Sequence, residues 1–179
     1  MFFFFDVIIF IYLLLTLINK KDILLMKVID MKEYTYIMIK PDGVKKGLTE
    51  EIVRRIHSKG FVVELFDVRK LTGEVLDEHY AHVVDQPFYP YMREFMLSDY
   101  VVAMIVSGEN VIQGMRDLMG PTKSAVAPEE TIRGDFGNKE ITCENIIHGS
   151  DSKENALIEI KRFFNLDLTH EKEYTFTKK

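Results

Sequence analysis

One cysteine, Cys143, is all the thiol chemistry that 179 residues contain. A single thiol excludes an internal disulfide framework and any cysteine-rich zinc site, and it fits a reducing compartment. With no visible base to pair with it, Cys143 reads as a small buried or loop residue. Positive charge is also scarce: 23 Lys and Arg against 28 Asp and Glu leave a formal net charge of −5. That balance argues against a nucleic-acid binder, though local clusters of Lys and Arg could still hold phosphates. Tandem repeats and low-complexity linkers are missing after residue 31, which points to one domain with enough apolar content for a sizeable core. Neither a Gly-x-x-x-x-Gly-Lys-Ser/Thr loop nor the protein-kinase signature set occurs, so neither of those architectures applies.

The longest apolar run lies at the N-terminus. Phe2 to Ile18 is broken only by Asp6 and Thr16, and Asn19-Lys20-Lys21-Asp22 comes next. Its 17 residues sit at the short limit for spanning a bilayer. No basic stretch precedes it and no small-residue cleavage site succeeds it, so a cleaved signal peptide is not expected. Three readings stay open. The run could be translated AT-rich DNA upstream of the true start, with Met26 and Met31 next in frame. It could be a membrane anchor, with Lys20 and Lys21 keeping the C-terminal side in the cytoplasm. Last comes a buried helix. The chain accordingly divides into residues 1–30, an apolar extension, and residues 31–179, the domain.

Tyr34 to Ile39 is β-rich and continuous enough for a central strand, stopped and turned by Lys40-Pro41-Asp42-Gly43. A lysine at that strand end is well placed to meet a phosphate or hydroxyl. Leu48, Ile52, Val53 and Ile56 recur at helical spacing up to Ser58-Lys59-Gly60. Phe61 to Leu71 reads as a second strand with Val63, Leu65 and Phe66 on its core face. Glu74 to Val83 is helical, and Tyr91 to Leu97 is a further short helix. Between them two prolines bracket Phe88 and Tyr89, where a core run is not expected, so Phe88 is a candidate platform for stacking on a base. His79 and His82 are spaced to share a metal, but no further ligands accompany them in the sequence. Val101 to Val106 is a buried strand, Ser107 to Asn110 a turn, and Val111 to Met119 a helix carrying Arg116. Thr131 to Phe136 is a compact turn carrying Arg133. Arginine's planar fork suits phosphate oxygens at any physiological pH. The polar tail from Asp167 to Lys179 is expected on the surface or at a subunit contact.

Asn145 to Ser152 gathers these parts. Two branched apolar residues run into His148, then Gly149 and Ser150-Asp151-Ser152 lead into an amphipathic helix from Lys153 to Phe164. This places an imidazole at a strand end, just before a helix N-terminus whose free N–H groups favour anions. A histidine there can accept or pass on a phosphoryl group. Ser150 would face the site while Asp151 and Ser152 start the helix.

Taken together, Lys40-Pro41-Asp42-Gly43, His79-Tyr80, Pro87-Phe88, Arg116 with Gly120-Pro121-Thr122, Thr131 to Phe136 and Asn145 to Ser152 resemble nucleoside diphosphate kinase. The likeness covers about residues 33 to 165, in the family's order and nearly its spacing. It implies an α/β ferredoxin-like βαββαβ sandwich, an antiparallel sheet with helices on one face. It also implies ping-pong transfer of a γ-phosphoryl group from a nucleoside triphosphate, typically ATP, to a nucleoside diphosphate. His148 would carry the group as a pros-phosphohistidine, with Glu159 orienting its ring. Lys40, Arg116 and Arg133 would neutralise phosphate charge, Thr122 would add a hydroxyl donor, and Tyr80 and Ser150 would flank the transfer. Asn145 and Lys40 would hold the sugar hydroxyls and Phe88 would stack on the base, which tolerates every base. Mg²⁺ would ride on the phosphates, with Asp151 at most touching it through water. A cytoplasmic homo-oligomer, hexamer or tetramer, is implied, with no nucleic acid, and with a membrane only if residues 1–30 are genuine. A nucleotide-binding regulatory protein or DNA-binding homologue that has kept the pocket is the alternative; the filled catalytic positions argue against a decayed site and the acidic balance against DNA.

Four departures from the family's usual pattern stand out. Lys123-Ser124 replaces Asn-Pro in a loop that lies at subunit contacts. Glu130 replaces a glycine, and Asp99-Tyr100 replaces Gly-Pro. The stretch between Phe136 and Asn145 is about two residues longer than usual, which predicts a bulged loop.

Overall fold

Two strands of nearly unbroken apolar sequence form the middle of the sheet. The computed structural model describes residues 32–169, so the questions about residues 1–30 and about the tail beyond Thr169 fall outside the described residues. β1 (Lys32–Ile39) pairs antiparallel with β3 (Val101–Glu109) along its whole length, Tyr36 opposite Ile105 and Ile39 opposite Val102. β2 (Val62–Arg69) flanks β3, and the short β4 (Ile147–Gly149) flanks β1, giving the order β2-β3-β1-β4. Every pairing in it is antiparallel. Strand residues alternate between faces, so a continuous apolar run requires cover on both sides.

Both sides are covered. Ile37, Ile39, Val102, Met104 and Val106 pack with Ile52 and Ile56 of α2 (Thr49–Ser58) and with Met115 and Leu118 of α5 (Val111–Met119). These are the two crossover helices of the βαββαβ order, on one face as expected. The opposite face holds Tyr36, Met38, Val101, Ala103 and Ile105. It is covered by α3 (Gly73–His79), α4 (Tyr89–Leu97) and α7 (Lys153–Phe164), whose Leu76, Met96, Ile160 and Phe163 are buried against it. Helices on one face thus describes only the crossover pair. Among the described residues no helix is long and apolar enough to cross a membrane.

Several local expectations change. Lys40 to Gly43 does not simply turn: Pro41, with its fixed φ and missing N–H, opens the one-turn helix α1 (Pro41–Lys45). β3 runs on to Glu109 and bends only at Asn110, which adopts φ +52°. In β2 a bulge between Val63 and Leu65 breaks the period of two. Val63 therefore packs with the first cluster and Leu65 with the second. Phe66, expected in the core, is 48% exposed.

Candidate active site

The chain enters β4 through a strained residue. Ile146 sits at φ +71°, a conformation in which a β-branched side chain is crowded. It is gripped from both sides by the start of α1: its N–H donates to Asp42 Oδ2 (3.0 Å), and its carbonyl accepts from the Lys40 N–H (2.8 Å). Gly43 makes this approach possible, because a Cβ there would lie 2.7 Å from Ile39 Cγ2 and 3.0 Å from the Ile146 oxygen. Asp42, buried and pushed up by that burial, is therefore a structural anchor for the histidine strand.

His148 comes two residues later, opposite Met38 of β1. Its Nε2 lies 3.1 Å from Glu159 Oε1, on a buried turn of α7. Glu159 Oε2 accepts from Ser150 Oγ at 2.5 Å, and Ser150 Oγ in turn accepts from the Tyr36 N–H. A carboxylate can only accept, so the ring proton of a neutral His148 resides on Nε2 and the Nδ1 lone pair is left available. α7 begins where expected: Ser152 Oγ caps it by accepting from the Asn155 N–H.

A second imidazole stands against the first. His79, the last residue of α3, is buried, with its ring 4.7 Å from that of His148 and nearly perpendicular to it. Burial, reinforced by the neighbouring His148, pushes it down to about 2, which keeps it neutral. Tyr80 lies beside it with its ring 6.4 Å from that of His148, and burial raises its hydroxyl well above the usual phenol range.

The cations line the other wall. Lys40 Nζ donates to Asn145 Oδ1 (2.7 Å) and to the Cys143 carbonyl (3.1 Å). Asn145 Nδ2 continues to the Thr122 carbonyl at 2.7 Å. Burial, then repulsion from Arg133, lowers Lys40 to about 8. Arg133, on α6 (Ile132–Phe136), donates to the carbonyls of Gly120 (2.7 Å) and Ile147 (2.8 Å), while its Nε has no partner among the described residues. Burial and the nearby Arg116 bring it down to about 10. The charge of this wall is thus held against its own desolvation, as an anion site requires.

These residues surround an open cleft of about 1560 Å³. Lys40, Tyr80, Phe88, Arg116, Thr122, Arg133, Asn145, His148, Asp151 and Glu159 all line it. Phe88, on its lining, is 52% exposed. Ser150 differs from expectation: it is buried behind His148 and reaches the site only through Glu159. His82 is exposed, so the i, i+3 histidine pair is not what the fold assembles. His79 meets His148 and Glu159 instead. Cys143 is a half-buried loop residue on the cleft wall. Sequence reasoning missed the roles of Asp42 and His79, because each depends on partners far along the chain.

The departures have visible consequences. Glu130 adopts φ +67°, the conformation that suits the usual glycine. The long loop after Phe136 closes on itself, with Asn138 N–H on the Glu144 carbonyl and Asn138 Nδ2 on the Glu144 carboxylate. Lys139 Nζ ties this loop to the carbonyls of Ser124 and Gly134. Tyr91 Oη donates to Glu144 Oε1 (2.7 Å), joining α4 to the loop.

The sequence model of the family "Nucleoside diphosphate kinase" matches residues 33–168. The chain is similar to the nucleoside diphosphate kinase of Streptococcus pneumoniae (strain Hungary19A-6), 45% identical over 137 residues, which is 74% of this chain and 99% of that protein. Among solved structures, the apo enzyme of Encephalitozoon cuniculi superposes with a TM-score of 0.70 at 41% identity, covering 73% of this chain and 88% of that one. A halophilic nucleoside diphosphate kinase from Halobacterium salinarum, in complex with CDP, gives 0.71 at 38% identity over 75% and 88%. On the strength of a match that runs almost from the start of β1 to the end of the described fold, the chain belongs to the nucleoside diphosphate kinase family of phosphotransferases.

Proposed function

We propose that the transfer of a γ-phosphoryl group between nucleotides, which balances triphosphate pools, runs through Nδ1 of His148. In the first half-reaction Nδ1 attacks the γ-phosphorus of a nucleoside triphosphate. The N–P bond forms as the bond to the β,γ-bridging oxygen breaks, and the diphosphate leaves. In the second, a β-phosphate oxygen of another diphosphate attacks that phosphorus and the N–P bond breaks. The observation that carries this reading is Glu159 on Nε2, 3.1 Å away. It fixes the tautomer and offsets the positive charge that grows on the ring as Nδ1 forms its bond.

In this reading Arg116 and Arg133 hold the phosphates, with the Thr122 hydroxyl adding a donor. Tyr80 lies next to the transferring group, and Ser150 steadies Glu159. Lys40 and Asn145, already hydrogen-bonded to each other, contact the sugar hydroxyls, and Phe88 carries the base. Mg²⁺ prefers oxygen ligands. Asp151, an exposed carboxylate held by Asn155 Nδ2 at 2.6 Å, suits at most a water-mediated contact with it, so the phosphates would be the main ligands. When bound, that ion neutralises phosphate charge.

A homo-oligomer is supported by β2, which among the described residues is an edge strand displaying Val62, Phe66 and Val68, each about half exposed. An unpaired apolar edge is a liability unless a second copy covers it. The compartment in this reading is the cytoplasm, in keeping with a single free thiol. The domain spans residues 31–179. Mass spectrometry of the natural N-terminus tests that boundary, since a first residue at Met31 or Lys32 removes any tether. The catalytic reading is tested by incubation with γ-labelled ATP and Mg²⁺. An acid-labile, alkali-stable phosphoprotein is expected, and a His148→Ala variant that still takes label would refute the assignment.

A further inference from the structure

The phosphoryl chemistry leaves His79 without work. Its side chain is 2% exposed, and neither ring nitrogen has a hydrogen-bond partner among the described residues. Two unpaired ring nitrogens in a buried place are costly and call for an explanation. His79 Nδ1 lies 3.8 Å from Glu159 Oε1, the same oxygen that His148 Nε2 approaches at 3.1 Å. One donor atom from each of His79, His148 and Glu159 falls within 4.8 Å of the others, and all three residues line the open cleft.

We propose that His79, His148 and Glu159 form a binding site for a transition-metal dication of the zinc type, and that occupancy switches the enzyme off. Two imidazoles and one carboxylate are a donor set zinc uses at sites that keep a fourth position open, and here that position faces the cleft. Zinc–ligand distances of about 2.0–2.2 Å put tetrahedral donors roughly 3.4 Å apart, so the pair at 3.1 Å opens slightly and the wider separations, which reach no more than 4.8 Å, close. Mg²⁺, which favours six oxygen ligands, does not compete for such a nitrogen-rich set.

The inhibition arises from the proton count. A neutral His148 carries one ring proton, on Nε2, donated to Glu159. A metal can take an Nε2 lone pair only after that proton has left Nε2 and a proton has been taken up at Nδ1, the other neutral tautomer, so none is released on balance. Nδ1 then has no lone pair with which to attack phosphorus. The inhibitory half of the proposal rests on His148 Nδ1 as the phosphoryl acceptor; the binding half does not, and the two are read separately.

The test titrates the full chain, free of nucleotide and in Mg²⁺ buffer, with Zn²⁺ by calorimetry and with Co²⁺ by its visible absorption. One saturable site per chain with a tetrahedral Co²⁺ spectrum is expected. His79→Gln should weaken Zn²⁺ binding by at least about tenfold, as losing a ligand costs no less than losing an outer-shell partner. His79→Cys, which supplies a thiolate, should keep the site. Thermal melts confirm that both variants fold. In a separate assay, labelling of His148 by γ-labelled ATP should fall as Zn²⁺ saturates and return on chelation. Absence of a saturable site, or equal affinity in wild type and His79→Gln, overturns the site. Saturation with labelling unchanged overturns the switch while leaving the phosphoryl reading intact.

Discussion

Replacing Asp42 by Ala should damage both the fold and the chemistry, although Asp42 touches no substrate in this account. Its carboxylate accepts the Ile146 N–H at 3.0 Å in a buried setting. Without it, that N–H has no acceptor, at a cost of about 1–3 kcal/mol. For a chain of this size roughly 2 kcal/mol lowers Tm by about 4–8 °C. Ile146 is also held at φ +71°, a conformation worth about 1–3 kcal/mol of strain that persists only while its surroundings enforce it. Freed from Asp42, it relaxes and carries His148 with it. A displacement of about 1 Å at a reacting group can cost on the order of 100-fold in rate. Single-turnover phosphorylation by ATP should therefore slow by about that factor, with nucleotide affinity nearly unchanged. Asp42→Asn keeps an acceptor oxygen and should recover most of the rate. Wild-type phosphorylation kinetics in Asp42→Ala would show that the anchor does not position the histidine.

Three other expectations rest on the same geometry. Lys40, lowered to about 8 by burial, is charged in the folded protein below that pH and loses its proton above it, while the unfolded chain keeps one to about 10.4. Diphosphate affinity measured by calorimetry should accordingly weaken between pH 7 and 9.5. Over the same interval stability should gain from Lys40, because the unfolded state then binds more protons; Lys40→Met should remove both trends. Phe88→Ala should raise KM about tenfold for all bases alike, within the roughly 1–3 kcal/mol of one stacking contact, and a change confined to one base would contradict stacking. Glu130→Gly should stabilise by about 0.5–1 kcal/mol, because relief of left-handed strain outweighs the added freedom of the unfolded chain. Its N–H bond to Asp135 Oδ1 is made by the backbone and survives, so a lower Tm would refute that reading.

Much of the site was legible because its chemistry resides in residue types that sit together in sequence. Asn145 to Ser152 carries the proposed nucleophile, His148, and the helix cap, and Glu159 is only 11 residues beyond that histidine. The strand and helix order was legible for a similar reason: β1, β3 and α5 are long, periodic and bounded by turn residues. What stayed hidden depends on distant pairings. Asp42 and Ile146 are 104 residues apart, and nothing in Pro41-Asp42-Gly43 announces that its carboxylate supports another strand. His79 and His82 are spaced to share a metal but have no further ligands near them in sequence; the helix ends at His79, which is buried against His148 and Glu159, while His82 is exposed. Val63 and Leu65 share a face by alternation, but the bulge between them sends them to opposite faces, and Phe66, expected in the core, is left half exposed on the edge strand. Ser150 was expected to face the cleft; its hydrogen bonds to Tyr36 and Glu159 turn it inward.

The central claim is that Glu159 holds the proton of His148 on Nε2 and so directs phosphorus to Nδ1. The most direct measurement is the isomer of phosphohistidine, read by ³¹P and ¹⁵N NMR on enzyme phosphorylated with ATP and unfolded under alkaline conditions. The account predicts Nδ1-phosphohistidine at His148. Phosphorus on Nε2, or on any other residue, would contradict it.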